Sequence, residues 1–178
     1  LSAPLRSRFG LNAHLEFYST QEIQKILENS SRLLNINIEP EALRIIAASS
    51  RSTPRIANRI LKRVRDFAEV KGKDLVVANL AQEALDLLEI DERGLEATDR
   101  KILSTLIEKF SGGPAGVQAI AAATNEDENT IEDVFEPYLM QLGFLMRTSR
   151  GRVVTDLGYK HLGLENANKN NQQDIFNV

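Results

Sequence analysis

The residues best suited to chemistry in this chain are arginines placed beside turns and helix starts. Arg147, Arg150 and Arg152 fall within six residues, with Thr148, Ser149 and the Gly151 N–H among them. All of these groups can contact phosphate, and Gly151 permits a close approach. Arg55 follows Thr53-Pro54. Thr53 can cap a helix with its hydroxyl, and Pro54 suits the first helical position, where a missing N–H costs nothing. Arg55 then sits in the first turn beside free backbone N–H groups and the positive end of the helix dipole, a place where an anion binds. Arg6 and Arg8 lie next to the Gly10 turn. Each set also has a plain reading, as solvated or paired surface charge.

Other chemistries are excluded or unsupported. There is no cysteine, which removes disulfides, thiolate catalysis and Cys-based zinc sites. His14 and His161 are far apart and lack metal-ligand spacing, so each reads as structural or solvated. No Gly-rich loop carrying Lys-Ser/Thr is present, so these residues hold no P-loop. The net charge of −3 means that nucleic-acid binding must come from local basic patches. No apolar run is long enough to span a bilayer. The start, Leu1-Ser2-Ala3-Pro4, has neither a basic n-region nor an initiator Met. It reads as the middle of a longer, cytoplasmic polypeptide, with no membrane partner.

The elements that position these arginines are mostly helical. His14-Leu15-Glu16-Phe17 alternates like a strand. Ser19 and Glu22 form a capping box for a helix carrying Ile23, Ile26, Leu27, Leu33 and Leu34. Pro40 opens a second helix with Leu43, Ile46 and Ala47 inward. The helix from Pro54 turns Ile56, Ile60, Val64 and Phe67 to the core and Arg55, Arg59 and Lys62 to another face, and it ends near Lys71-Gly72. A fourth helix holds Val77, Leu80, Ala81, Ala84, Leu85 and Leu88. Residues 19–90 thus read as a four-helix unit. The polar stretch 91–96 is a hinge.

A second unit spans 91–163. Ile102, Leu103, Leu106, Ile107 and Phe110 share one helix, and Ser111-Gly112-Gly113-Pro114 stops it. A short helix carries Val117, Ile120 and Ala121. A longer one carries Ile131, Val134, Phe135, Tyr138, Leu139 and Leu142, with Pro137 predicting an irregularity and Gly143 a C-cap. Residues 144–147 and 152–155 form a hairpin, and 159–162 add a short turn. Three helices and a hairpin make a winged helix. The helix that would normally enter the major groove carries Glu128, Glu132, Asp133 and Glu136, and phosphate repels it. The wing is therefore expected to meet DNA through its backbone, without sequence readout. The Asn- and Gln-rich residues 164–178 read as a disordered tail.

Several stretches resemble the bacterial RuvB family of Holliday junction branch-migration ATPases. They are Leu1-Ser2-Ala3-Pro4-Leu5-Arg6-Ser7-Arg8-Phe9-Gly10, Thr53-Pro54-Arg55-Ile56-Ala57-Asn58-Arg59, Arg63-Val64-Arg65-Asp66-Phe67-Ala68, Asp99-Arg100-Lys101, Gly112-Gly113-Pro114, Glu136-Pro137-Tyr138-Leu139 and Arg147-Thr148-Ser149-Arg150-Gly151-Arg152. They occur in order through nearly all of residues 1–163. The resemblance implies that 1–18 end an AAA+ large domain, 19–90 are its helical lid and 91–163 are a winged-helix DNA-binding domain. It makes Arg8 an arginine finger that reaches a neighbouring subunit's γ-phosphate, with Arg6 as a weaker candidate. Arg55 becomes the second sensor, and Pro54 and Tyr18 join it at the nucleotide. Arg147, Arg150 and Arg152 map to the family's arginine-rich wing.

The resemblance further implies a helicase and ATP hydrolase acting in DNA recombination, repair of DNA damage and the SOS response. ATP and Mg would be held mainly by the large domain, with none bound to these residues alone. The partners implied are duplex and Holliday junction DNA, further copies in a hexameric ring, RuvA through the large domain, and RuvC in the resolvasome. Ser52 stands where the family usually has Gly, so a positive φ there would be strained. Two other readings remain open: a winged-helix regulator without a nucleotide, and another AAA+ ATPase such as an origin-binding or clamp-loader relative.

Overall fold

A computed structural model describes residues 16–166. Arg6, Arg8 and His14, the first half of the strand expected over 14–17, and most of the tail lie outside them. Glu16 and Phe17 carry no strand. The described chain is mostly helical with one two-stranded antiparallel sheet. It divides into two compact units between Leu85 and Asp86. The residues after Leu85 go with the second unit because its side chains hold them. Arg100 donates to the Glu89 carbonyl at 2.9 Å, and His161 reaches Asp91 at 2.8 Å.

In the first unit, α1 (Thr20–Leu33) starts at a capping box. The Glu22 N–H donates to the Ser19 hydroxyl at 3.3 Å, and the Ser19 N–H donates to the Glu22 carboxylate at 2.8 Å. Its buried stripe is Ile23, Leu27 and Ser31. Leu33 is 84% exposed, against expectation, because two residues beyond Ser31 the helix has turned through slightly more than a half-circle. In α2 (Pro40–Ala48), Pro40 fills the first position, and Ala42, Leu43, Ile46 and Ala47 are buried. In α3 (Pro54–Val70) the buried stripe is Ala57, Ile60, Leu61, Val64 and Ala68. Ile56 and Phe67, expected as core, lie at its margin and are half-buried. In α4 (Ala78–Leu87), Leu80, Ala81, Ala84 and Leu85 are buried, while Val77 precedes the helix and stays exposed. A parallel bridge between Ile38 and Val76 ties the entry of α2 to the chain before α4, with Val76 N–H donating to Asn37 at 2.9 Å and Glu39 N–H to Val76 at 3.0 Å.

In the second unit, α5 (Ala97–Phe110) also begins at a capping box, made by Glu96 and Asp99. It ends where Ser111, Gly112 and Gly113 all take positive φ. After α6 (Val117–Thr124) comes α7, which is not uniform. It runs Glu128–Thr130 as α-helix, Ile131–Phe135 as π-helix and Glu136–Gln141 as α-helix. The irregularity expected from Pro137 takes this form. Proline cannot donate to the carbonyl four residues back and its ring clashes with it, and the wider π turn makes room. The end of α7 is a Schellman motif, with Gly143 at φ 71°, its N–H bonded to Met140 at 2.9 Å and the Phe144 N–H bonded to Leu139 at 2.9 Å. The wing follows as β1 (Leu145–Thr148) and β2 (Gly151–Val154). Where only a short turn was expected at 159–162, there is α8 (Asp156–His161), capped by the Thr155 hydroxyl on the Gly158 N–H at 3.2 Å. Leu95, Ile102, Leu103, Leu106, Ile120, Ile131, Leu139, Leu145 and Val154 are among the residues of one buried core that carries the wing.

Candidate functional site

Two groups of candidate residues fall in the described chain, one in each unit. In the first unit, the turn before α3 holds Arg51 at φ 52° and Ser52 at φ 53°. A serine therefore takes the left-handed conformation that glycine adopts without strain. This bend directs the Thr53 hydroxyl to the Arg51 carbonyl at 2.9 Å, and it makes no cap bond to α3. The expected hydroxyl cap is thus replaced by a bond that closes the turn. Pro54 is half-buried at the first helical position, and its carbonyl accepts from Asn58 Nδ2 at 3.0 Å. Arg55 is exposed in the first turn, where a guanidinium and the helix's N-terminal N–H groups can face one phosphate. Arg59 and Lys62 are exposed further along α3. Tyr18 is 46% exposed, immediately before the Ser19 cap.

In the second unit, the wing pairs Leu145 with Val154, Met146 with Val153, Arg147 with Arg152 and Thr148 with Gly151. Side chains alternate along a strand, so Arg147 shares a face with core Leu145 and Arg152 with core Val154. Two arginines directly opposite each other repel unless acids stand between them. Glu132 and Glu136 of α7 supply them. Arg152 donates through Nε and Nη2 to Glu136 Oε2 at 3.1 and 2.9 Å, and through Nη2 to Glu132 Oε1. Arg147 Nη2 donates to the same Glu132 oxygen at 3.3 Å, and its Nη1 stands 3.9 Å from Glu136 Oε1. Burial by itself lowers the Arg152 pKa, but the hydrogen bonds to Glu136 and Glu132 outweigh it and raise the value, holding the guanidinium charged.

The three wing arginines are therefore not equivalent. Arg152 is only 6% exposed and bonded to the acids of α7, so the structure does not present it at the tip as its sequence position suggests. Arg147 is exposed and ion-paired. Arg150 is exposed in the turn, where its N–H donates to the Thr148 hydroxyl at 3.3 Å. Gly151 also has another reason to be glycine. A Cβ there would come within 2.4 Å of the Ala115 carbonyl at φ 139°, so the close approach is to the protein's own backbone. Ala115 and Arg152 exchange backbone hydrogen bonds of 3.0 and 2.8 Å, which fasten β2 to the loop before α6.

Sequence reasoning missed Glu132 and Glu136 as partners of the wing and took them for surface acids. Glu136 is 3% exposed, and only Glu128 and Asp133 of the four acids on α7 remain outside the cluster. The period-two alternation that puts Arg152 on the face of Val154 was the available signal. His161 is structural. Its ring stacks on Phe144 with centroids 4.6 Å apart, and Nε2 reaches Asp91. Among the described residues, no group of three His, Asp or Glu side chains could hold a metal ion.

Comparison with known proteins places both units. Residues 18–91 match the family described as the RuvB AAA lid domain, and residues 92–163 match the RuvB C-terminal winged helix domain. Among curated relatives, the Holliday junction branch migration complex subunit RuvB of Synechocystis sp. is 56% identical over 92% of this chain and 45% of its own length. The subunit of the same name from Dehalococcoides mccartyi is 52% identical over 99% of this chain and 51% of its own length. The chain thus spans about half the length of these curated relatives. Among solved structures, the Thermotoga maritima RuvB Holliday junction branch migration motor superposes with a TM-score of 0.85 at 47% identity, covering 93% of this chain and 55% of that one.

Proposed function

Because the chain belongs to the RuvB family, we propose that it is the C-terminal part of an ATP-driven motor that moves Holliday junctions during recombination and DNA repair. The observation that carries this reading is the pairing of two parts in one chain. A lid presents Arg55 at a helix start, and a winged helix presents Arg150 at a hairpin tip. One part fits a nucleotide phosphate and the other a DNA phosphate.

In this reading Arg55 binds a phosphate of the nucleotide held by its own subunit and ties the position of the lid to nucleotide state, with Pro54 and Tyr18 beside it. Arg8, with Arg6 as the weaker candidate, contacts the γ-phosphate at a neighbouring subunit and offsets charge that develops during transfer. ATP with magnesium supplies the free energy when bound, and residues outside 16–166 hold most of it. Residues 1–18 end the large domain, 19–90 form the lid and 91–163 bind DNA. The wing holds duplex backbone through Arg150 and Arg147 without reading bases. The partners are junction DNA, further copies in a ring, RuvA and RuvC, and the site of action is the cytoplasm.

The test uses the full-length protein in ATPase and branch-migration assays. Arg8→Ala and Arg55→Ala are each expected to lower DNA-stimulated turnover and branch migration by at least about tenfold, consistent with the loss of one charged phosphate contact. Normal turnover in both variants would remove the nucleotide assignments.

A further inference from the structure

Glu132 stands at the branch point of the wing cluster. One of its oxygens accepts from both Arg147 and Arg152. The two arginines differ in what that acid means for them. Arg152 is buried and keeps two further hydrogen bonds to Glu136 without Glu132. Arg147 has a side chain 57% exposed, and among the described residues its carboxylate contact within 3.5 Å is to Glu132, the Glu136 oxygen lying at 3.9 Å. Glu132 itself is about one-third exposed, so the Arg147 pair is open to solvent and to competing anions.

We propose that Glu132 is a guard on the wing, competing with DNA phosphate for Arg147 while Glu136 and Arg152 pin the hairpin to α7. The inference rests on the wing's being the DNA contact, and it adds a residue that sets the strength of that contact. A phosphate oxygen and a carboxylate oxygen offer Arg147 the same charge-assisted bond, so a phosphate that takes the Nη2 donor displaces Glu132. The displaced acid then lies near the phosphate and repels it. Two acids against two arginines leave the cluster neutral, so the guarded wing attracts DNA mainly through Arg150. A residue of this kind keeps backbone binding weak enough to release.

The test measures affinity of the full 178-residue chain for a fluorescein-labelled linear duplex across a salt series. Glu132→Gln removes the charge and keeps an acceptor for Arg152, so thermal unfolding should stay close to the parent. The expected result is duplex binding about two- to fivefold tighter at low salt, the range an exposed ion pair spans, with the gain shrinking as salt screens it. The gain should vanish in an Arg147→Ala background, because no guarded arginine then remains. Unchanged or weaker binding by Glu132→Gln, or a gain that persists without Arg147, overturns the guard while Arg150→Ala still weakens binding. If Arg150→Ala and Arg147→Ala both leave affinity unchanged, the wing is not the DNA contact and the wider reading fails with the guard.

Discussion

Replacing Arg152 by alanine should destabilise the winged-helix unit rather than simply weaken DNA binding. Arg152 and Glu136 are 6% and 3% exposed, and three hydrogen bonds join Arg152 to the two carboxylates. Removing one partner of a buried pair costs about 3–5 kcal/mol, because the other charge is left buried without compensation. Here Arg147 stands 3.9 Å from the free Glu136 oxygen and can turn toward it, which favours the lower end of that range. For a domain of this size, about 3 kcal/mol lowers the melting temperature by roughly 12–24 °C. Calorimetry gives the shift, and amide exchange across α5 to α8 assigns it to the second unit. Arg152→Met with Glu136→Leu should recover most of the loss, since an apolar pair of similar volume carries no stranded charge. The reasoning is refuted if Arg152→Ala melts within about 1 kcal/mol of the parent while the slope of log affinity on log salt falls by about 0.9, as expected for one lost phosphate contact.

Two further outcomes follow from geometry and charge. Gly151→Ala should destabilise the second unit by about 1–3 kcal/mol, read as a drop in urea midpoint, because the added Cβ meets the Ala115 carbonyl at 2.4 Å and a strained φ is imposed. In the first unit, hydrogen bonds from the Ser19 N–H and then its hydroxyl hold the Glu22 carboxyl below its ordinary 4.5. A lowered pKa contributes stability that is complete above the unfolded value and is lost as pH falls through the folded one. The protection of α1 amides should therefore hold down to about pH 4.5 and decline on the acid side of it, and Glu22→Gln should flatten that decline.

What the sequence made legible was local. Ser19 with Glu22, Pro40 and Pro54 at first helical positions, and Gly143 after α7 are signals contained within a few residues, and each produces the helix end it predicts. The Pro137 irregularity belongs to the same class, although its form as a π turn depends on how α7 packs. The errors came where packing decides. The stripe of α3 is centred on Ala57 and Leu61 because small and branched residues there meet the other helices, a choice that periodicity alone leaves open by one position. The bridge between Ile38 and Val76 joins stretches far apart in sequence and left no pattern to read.

The candidate site shows the same division more sharply. The run Arg147, Arg150, Arg152 gives three cations near one tip, and the acids of α7 read separately as a face that repels DNA. Folding joins the two observations. Cross-strand pairing sets Arg147 opposite Arg152, which is unfavourable alone, and the core position of Val154 turns Arg152 inward. Glu132 and Glu136 neutralise that pair, so part of the acidity of α7 is spent within the protein. Glu128 and Asp133 lie outside the cluster, so the expected exclusion of this helix from a groove now rests on fewer acids. The consequence is a smaller basic surface than the sequence advertises, centred on Arg150 and on whatever share of Arg147 is not held by Glu132. On the proposed reading of the wing as a DNA contact, its grip on a phosphate backbone depends on the carboxylates of a neighbouring helix, which no count of wing arginines could reveal.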